Sequence, residues 1–223
     1  MITFAVDAST YVGTAALIED GRLLAATEAA MRGKNAEALM PAIAGMFDSA
    51  GKRPRALDRV VCGAGPGSFT SLRIAASIAK GLSLGAGCPM FAVSSLALLV
   101  AATAASRPGR YLAVLDALRG DAYVGCYAVA TDGTLSATLP ERLVAQSEVG
   151  DLADDLHAVT VGAGQVIEGS PNARGVLGLE QLILGTGTID LASWEPDYGR
   201  KAEAQARWEM AHGRLLSVDP TSV

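Results

Sequence analysis

Three glycines at two-residue spacing, Gly63, Gly65 and Gly67, lie between an apolar run, Val60-Val61-Cys62, and the hydroxyl residues Ser68, Thr70 and Ser71. A strand running through a glycine turn into a helix N-terminus gathers backbone N–H groups that have no partner within the helix, a geometry suited to phosphate. The spacing excludes the two common versions: no Gly-Lys-Ser/Thr follows, and the glycines do not fit G-x-G-x-x-G. The same glycines would also serve a tight turn that lets strand and helix pack closely. Nucleophilic chemistry by the serines is disfavoured, because a triad needs an oriented base. The only histidines, His157 and His212, are remote in sequence. The hydroxyls are therefore expected to cap a helix that starts near Ser71.

Two carboxylates stand at the ends of apolar strands, Asp7 after Phe4-Ala5-Val6 and Asp116 after Ala113-Val114-Leu115, an offset of 109. Asp7 is followed by Ser9 and Thr10 in a turn, which makes Asp7, Ser9, Thr10 and Asp116 the candidate ligand-binding residues. Aspartate at a strand end equally forms an Asx-turn. Other segments echo one another in the same order. Val60-Val61-Cys62-Gly63-Ala64-Gly65 matches Val159-Thr160-Val161-Gly162-Ala163-Gly164 at an offset of 99, and the hairpin signals Asp20-Gly21 and Asp132-Gly133 lie 112 apart. Two halves that each open on a strand ending in Asp and continue into a hairpin indicate a duplicated fold.

With 23 acidic and 18 basic residues the chain carries a net charge of −5, which argues against autonomous nucleic-acid binding. Cys62, Cys88 and Cys126 are odd in number and far apart, so reduced cysteines are expected, neither a disulfide framework nor a zinc site, in a cytoplasmic protein. The early apolar run carries Asp7 and Glu19 and lacks a basic leader, so neither a signal peptide nor a membrane span is expected.

Periodicity predicts strands at 2–7, 12–18, 22–28, 58–62 and 89–93, and helices at 36–49, 71–85 and 94–105. The polar, helix-breaking Arg107-Pro108-Gly109 divides the chain into a lobe at 1–107 and a smaller one at 108–223. In the second lobe strands are expected at 111–116, 121–130, 134–138 and 159–161, and helices at 147–156 and 179–192. From Trp194 to His212 the tail, with Arg200, Lys201 and Arg207, reads first as an ordinary solvated terminal helix and is also amphipathic enough to dock on the body or on a partner. Ala75, Ala76, Ser77, Ala79, Gly81, Ser83 and Gly85 make the second helix small-surfaced. Each helical glycine costs about 1 kcal/mol against alanine, so close approach is needed either by the chain's own sheet or by a second chain.

The segments Phe4-Ala5-Val6-Asp7-Ala8-Ser9-Thr10, Gly65-Pro66-Gly67-Ser68-Phe69-Thr70-Ser71-Leu72-Arg73-Ile74 and Asp116-Ala117-Leu118-Arg119-Gly120-Asp121-Ala122-Tyr123 resemble the bacterial TsaB (YeaZ) family, as does Glu195-Pro196-Asp197-Tyr198-Gly199-Arg200-Lys201. The resemblance covers most of the first 125 residues, and residues 130–190 are only compatible with it. Gly199 departs from the apolar residue more usual there. The resemblance implies a duplicated actin/Hsp70-like (ASKHA, ribonuclease H-like) α/β fold with a truncated second lobe. It further implies a non-catalytic partner and activator of TsaD in forming threonylcarbamoyladenosine at position 37 of tRNAs that read codons beginning with adenine. TsaE would join the larger complex, and tRNA would be met only through that complex.

In such a fold Asp7 can hold phosphate or a water-bridged metal, with Asp116 as its counterpart. TsaD is expected to carry two histidines at i, i+4 on its first helix. The matching positions here are Asn35 and Leu39, so the resemblance implies no metal, and no cofactor on this chain alone. It leaves a nucleotide at the TsaD junction open. The partner surface implied lies on the first two helices, at Leu39, Ile43, Met46, Arg73, Ile74, Ala75, Ser77, Ile78, Gly81, Leu82 and Gly85. Without TsaD the same face would support a homodimer. Arginine at Ala75 or Ala79 is expected to abolish TsaD binding in a folded chain. The competing readings are an ATP-dependent phosphotransferase working through Asp7 and Asp116, and a peptidase working through Ser68 or Ser71.

Overall fold

A computed structural model describes residues 1–31, 38–104 and 107–199. Strands β1 (Ile2–Asp7), β2 (Val12–Glu19) and β3 (Arg22–Ala30) form an antiparallel meander. Asp20 and Gly21, at φ of 49° and 74°, make the tight turn whose twist suits a hairpin. Parallel strands β4 (Arg59–Gly63) and β5 (Met90–Val93) complete the order β3-β2-β1-β4-β5. Helix α1 (Leu39–Ser49) joins β3 to β4, α2 (Phe69–Ala86) joins β4 to β5, and α3 (Ser95–Thr103) follows β5.

The second half repeats the plan. Strands β6 (Gly109–Asp116), β7 (Asp121–Val129), β8 (Leu135–Ala145) and β9 (Val159–Val161) pair in the order β8-β7-β6-β9, with α4 (Val149–Asp155) between β8 and β9. As β1 pairs antiparallel with β2 and parallel with β4, so β6 pairs with β7 and β9. This is the duplicated actin/Hsp70-like fold with a reduced second half. Among the described residues the place of β5 is taken by a bridge between Val161 and Ile167.

Alternation within each strand builds the layers. Phe4, Val6, Leu17, Val60 and Cys62 point to α1 and α2, whereas Ala5, Ala16, Ile18, Val61 and Val93 point to α3. Helix α3 is apolar on every side, with Leu96, Leu98, Leu99 and Val100 almost fully buried, and it lies between the sheets. Tyr111, Leu115, Tyr127 and Val161 of the second sheet close on it. The opposite face of that sheet, Leu112, Val124 and Cys126, is covered by Val149 and Ala153 of α4.

After β9 the chain returns to the first sheet. Ala173 N–H donates to Thr14 Oγ1 at 3.0 Å, and Asn172 to Glu28 at 2.9 Å. Helix α5 (Glu180–Thr186) brings Glu180 to the buried Arg59 guanidinium, which forks onto both carboxylate oxygens at 2.8 and 2.6 Å and donates to Thr3. The Arg59 hydrogen bonds hold the Glu180 carboxyl below its ordinary value.

Several elements differ from expectation. Helix α2 begins at Phe69, and Ser68 makes no side-chain cap; its hydroxyl lies 3.1 Å from that of Ser71 while its N–H reaches Ser9 O. Strand β8 runs on to Ala145 through Pro140, which a sheet edge tolerates because no ladder bond is needed there. The expected helix at 179–192 stops at Thr186, where Gly187 turns left-handed at φ 69°. Residues 194–199 are non-helical, and the tail beyond them lies outside the described residues, as do Asn35 and Glu37. No helix among the described residues is long and apolar enough to cross a membrane.

Candidate functional site

Strand β1 delivers Asp7 to the point where β4 ends in Gly63, and the two backbones pair side by side. The Asp7 side chain is fully buried. Its Oδ1 accepts from the N–H and hydroxyl of Ser9 at 3.0 and 2.8 Å, and its Oδ2 from the Ser95 hydroxyl at 2.5 Å. Ser95 Oγ in turn accepts from Gly65 N–H at 3.1 Å, and Ser95 N–H donates to Gly65 O at 2.8 Å. A Cβ at Gly63 would stand 1.9 Å from Asp7 Oδ2, so only glycine leaves room for the carboxylate. Burial pushes the Asp7 carboxyl above its ordinary value, against the lowering effect of the Ser95 and Ser9 hydrogen bonds. Burial also pushes the neighbouring Cys62 thiol far up, leaving it an inert core residue.

Above this carboxylate the chain lays its own backbone. Asp197 N–H donates to Ala64 O at 2.7 Å, and a Cβ on Gly65, at φ 93°, would stand 2.0 Å from Asp197 O. The strap over residues 189–199 starts at Ile189, whose N–H donates to Met90 O. It passes Trp194, whose carbonyl accepts from Lys80 at 2.6 Å, and ends against the second sheet, where Tyr123 donates to Tyr198 O at 3.2 Å. The Tyr198 ring lies 4.4 Å from that of Phe69, and the Arg73 guanidinium stands 5.4 Å over Phe69. Ligands of open α/β sheets bind outside the carboxyl ends of the strands. In this chain that place, at the end of β4, is occupied by the strap. Ser9 is buried on Asp7, and the Thr10 hydroxyl turns back on Val12.

Asp116 is not the spatial counterpart of Asp7. Cys62 stands opposite Val6, which puts Gly63 beside Asp7. Val161 stands opposite Ala113, and a Cβ on Gly162 would stand 2.2 Å from Val114 O. Ala5 pairs with Val61 and Ala113 with Val161, all four on the α3 side, so pairing and face together match Asp7 with Leu115, and Asp116 lies one residue farther along β6. It is exposed there and forms an Asx-turn to Leu118 N–H at 2.7 Å. Leu118 and Arg119 follow in the left-handed region at φ 63° and 61°.

The candidate partner residues divide by burial. Leu39, Ile43, Met46, Ala75 and Ile78 belong to the core beneath α1 and α2. Ala75 and Ala79 have no exposed surface, so arginine at either would break the fold; the sequence-based choice of these two positions is corrected on that ground. Arg73, Ser77, Gly81 and Gly85 are exposed on the outer side of α2, with Ile74 and Leu82 partly covered. Leu84 is 70% exposed. A Cβ added at Gly81 or Gly85 would meet nothing within 4 Å among the described residues, so packing among them does not require either glycine.

The family model described as TsaD: tRNA N6-adenosine threonylcarbamoyltransferase matches residues 29–155. The chain is 32% identical over 168 residues to the tRNA threonylcarbamoyladenosine biosynthesis protein TsaB of Escherichia coli (strain K12), covering 74% of this chain and 72% of that one. The chain belongs to the TsaB (YeaZ) family. It is 28% identical over 226 residues to TsaB of Bacillus subtilis (strain 168), covering 93% of this chain and 98% of that protein. YeaZ from Pseudomonas aeruginosa has a solved structure that superposes with a TM-score of 0.75 at 28% identity, covering 88% of this chain and 99% of that one.

For this TsaB-family chain, sequence reasoning found Asp7 and the glycines but missed Ser95 and the strap. Ser94-Ser95 before an apolar run is a visible helix start, and Ser94 does cap α3 through Leu96 and Ala97 N–H. Nothing in the sequence pairs Ser95 with a residue 88 positions away. Among the described residues no three His, Cys, Asp or Glu side chains come together as a metal site, and Leu39 is buried in the core.

Alanine at Gly63 should cost about 3 kcal/mol or more by forcing the buried carboxylate aside. Thermal unfolding should then fall by roughly 6–12 °C, and an unchanged midpoint would refute the Asp7 geometry. The folded chain holds the Asp7 proton to higher pH than the unfolded chain does. Its stability should therefore fall as pH rises from the ordinary value of 3.8 through the raised one. In urea titrations the advantage of wild type over Asp7→Asn should shrink with rising pH across that window; a growing advantage would mean that the carboxyl is lowered instead.

Proposed function

We propose that this chain is the non-catalytic partner and activator of TsaD in placing threonylcarbamoyl on adenosine 37 of tRNAs that read codons beginning with adenine. Membership of a family whose curated members are named tRNA threonylcarbamoyladenosine biosynthesis proteins supports the pathway. The observation that carries the partner role is the outer face of α2. Ser77, Gly81 and Gly85 recur at every fourth position beside the exposed Leu84, and a Cβ added at either glycine would meet nothing within 4 Å among the described residues. Two glycines within a helix cost about 2 kcal/mol against alanine, and close approach by a second helix supplies the compensation.

The absence of catalysis in this reading rests on Asp7. A carboxylate enclosed by Ser9, Ser95 and Gly63, beneath a backbone strap, is a structural tie and does not meet substrate. A phosphotransferase reading would require that carboxylate to face solvent or metal. In the proposed complex TsaD performs the transfer, TsaE joins the assembly, and any nucleotide at the junction is held together with TsaD.

Arginine at Ser77 or Gly81 should leave the thermal midpoint within about 2 °C and weaken TsaD binding at least 100-fold by titration calorimetry. Alanine at both Gly81 and Gly85 should stabilise the isolated chain by about 1–2 kcal/mol while weakening TsaD binding. Full-strength binding by the arginine variants would remove α2 from the interface.

A further inference from the structure

The two outer layers of the fold are unequal. Helices α1 and α2 cover the outer face of the first sheet, α3 lies between the sheets, and α4 covers the outer face of the second. In the first half Val60 and Cys62 are sealed beneath α2, which follows directly from the glycine turn after β4. In the second half Thr160 stands where Val60 does. After the equivalent turn at Gly162 and Gly164 the described residues supply no helix in the place of α2. They run back to α3 and the first sheet, where Ala173, Val176, Leu179 and Ile183 are buried.

The uncovered place is an open groove of about 450 Å³ between α4 (Val149, Gly150, Ala153) and the turn after β9 (Gln165, Val166), with Thr160 in its floor. The turn is a fixed wall. Ile167 N–H donates to Thr160 O and Gly162 N–H to Ile167 O, both at 3.0 Å, and the Thr160 hydroxyl accepts from Val166 N–H at 3.3 Å. Val166 is thereby held 79% exposed. On the opposite wall a Cβ on Gly150 would meet nothing within 4 Å among the described residues. An apolar side chain held in solvent, facing a helix wall with no side chain, leaves room for another element to lie between them.

We propose that this groove docks a basic amphipathic helix of a partner protein. Charge selects that occupant. Five of the chain's 23 acidic residues, Glu148, Asp151, Asp154, Asp155 and Glu168, fall between 143 and 173, and none of its 18 basic ones does. The remaining 18 of each sign cancel, so the whole net charge of −5 sits on this segment. All five carboxylates are exposed, and Asp154 lines the groove itself. The Arg110 guanidinium, which donates to Leu156 O at 3.4 Å, offsets part of this charge at the end of α4. Such a surface repels nucleic acid and attracts cationic side chains. The docked helix would set small residues against Gly150 and Ala153, as α2 sets Ala75 and Ala79 on the first sheet, with Lys or Arg toward Asp154. Because the groove lies in the outer layer opposite α1 and α2, this partner and one on the outer face of α2 can be held at once.

The test uses the full chain and, as probe, a fluorescent synthetic helix of about 18 residues with Ala and Leu on one side and Lys on both flanks. A scrambled peptide of the same composition separates groove binding from charge attraction alone. By fluorescence anisotropy the amphipathic peptide should bind at micromolar concentration, at least tenfold more tightly than the scrambled one. Gly150→Leu fills the groove without changing charge and should weaken binding at least tenfold while its thermal midpoint does not fall. Asp154→Lys should weaken binding as much, and Asp48→Lys, on the exposed side of α1, should not. Bound peptide should slow hydrogen exchange at the amides of 149–167 and leave α2 amides unchanged. Equal binding of the scrambled peptide, undiminished binding by Gly150→Leu, or no binding by the full chain would overturn the assignment.

Discussion

A single buried carboxylate organises the first half of this chain. Among the described residues Asp7 has no cation beside it, and what keeps its burial tolerable is the set of donors converging on it from Ser9 and Ser95. Those donors come from the turn after β1 and from the first residue of α3, so satisfying one side chain fixes the relation of the central strand to the helix between the sheets. Gly63 provides the space, and Gly65 links the glycine turn to Ser95 and lets the strap approach. The strap then reaches Tyr123 of the second sheet. The carboxylate therefore acts on architecture, and the glycine turn that resembles a phosphate cradle receives the chain's own backbone.

The strands and first three helices were legible in the sequence because their apolar periodicity is regular and their turns carry strong signals, such as Asp20-Gly21. The duplication was legible from repeated short strands, and strand order confirms it. Its register was not legible. Matching aspartate to aspartate gives an offset of 109, whereas the pairing of Ala5 with Val61 and of Ala113 with Val161 on the α3 side sets Asp7 against Leu115, one residue short of Asp116. The full extent of β8 was also hidden, since Pro140 reads as a stop unless the strand is known to lie at an edge.

At the candidate site, Asp7 and the glycines were visible as types with chemical potential, but their use was not. Only three-dimensional placement shows both Asp7 oxygens engaged, Asp197 laid over Gly65, and Ala75 and Ala79 turned into the core while Gly81 and Gly85 face outward. Burial on one side of α2 and unoccupied space on the other separate two uses of small residues that composition alone cannot distinguish. The inner alanines let the helix sit close on β4, and the outer glycines keep a surface flat at a cost in helix stability. A helix that gives up stability on its solvent side is best explained by a second surface that meets it.

The central claim is that the chain contributes a surface and a rigid frame to tRNA threonylcarbamoylation and no reacting group. The most direct measurement is reconstitution of the modification with TsaD, TsaE and a TsaC-type protein, adding no chain, the wild type, or Asp7→Asn. The account predicts product that depends on the chain, with Asp7→Asn fully supporting it and the chain alone showing neither ATP turnover nor tight ATP binding. Product lost with a folded Asp7→Asn that still binds TsaD, or ATP turnover by the chain alone, would contradict it.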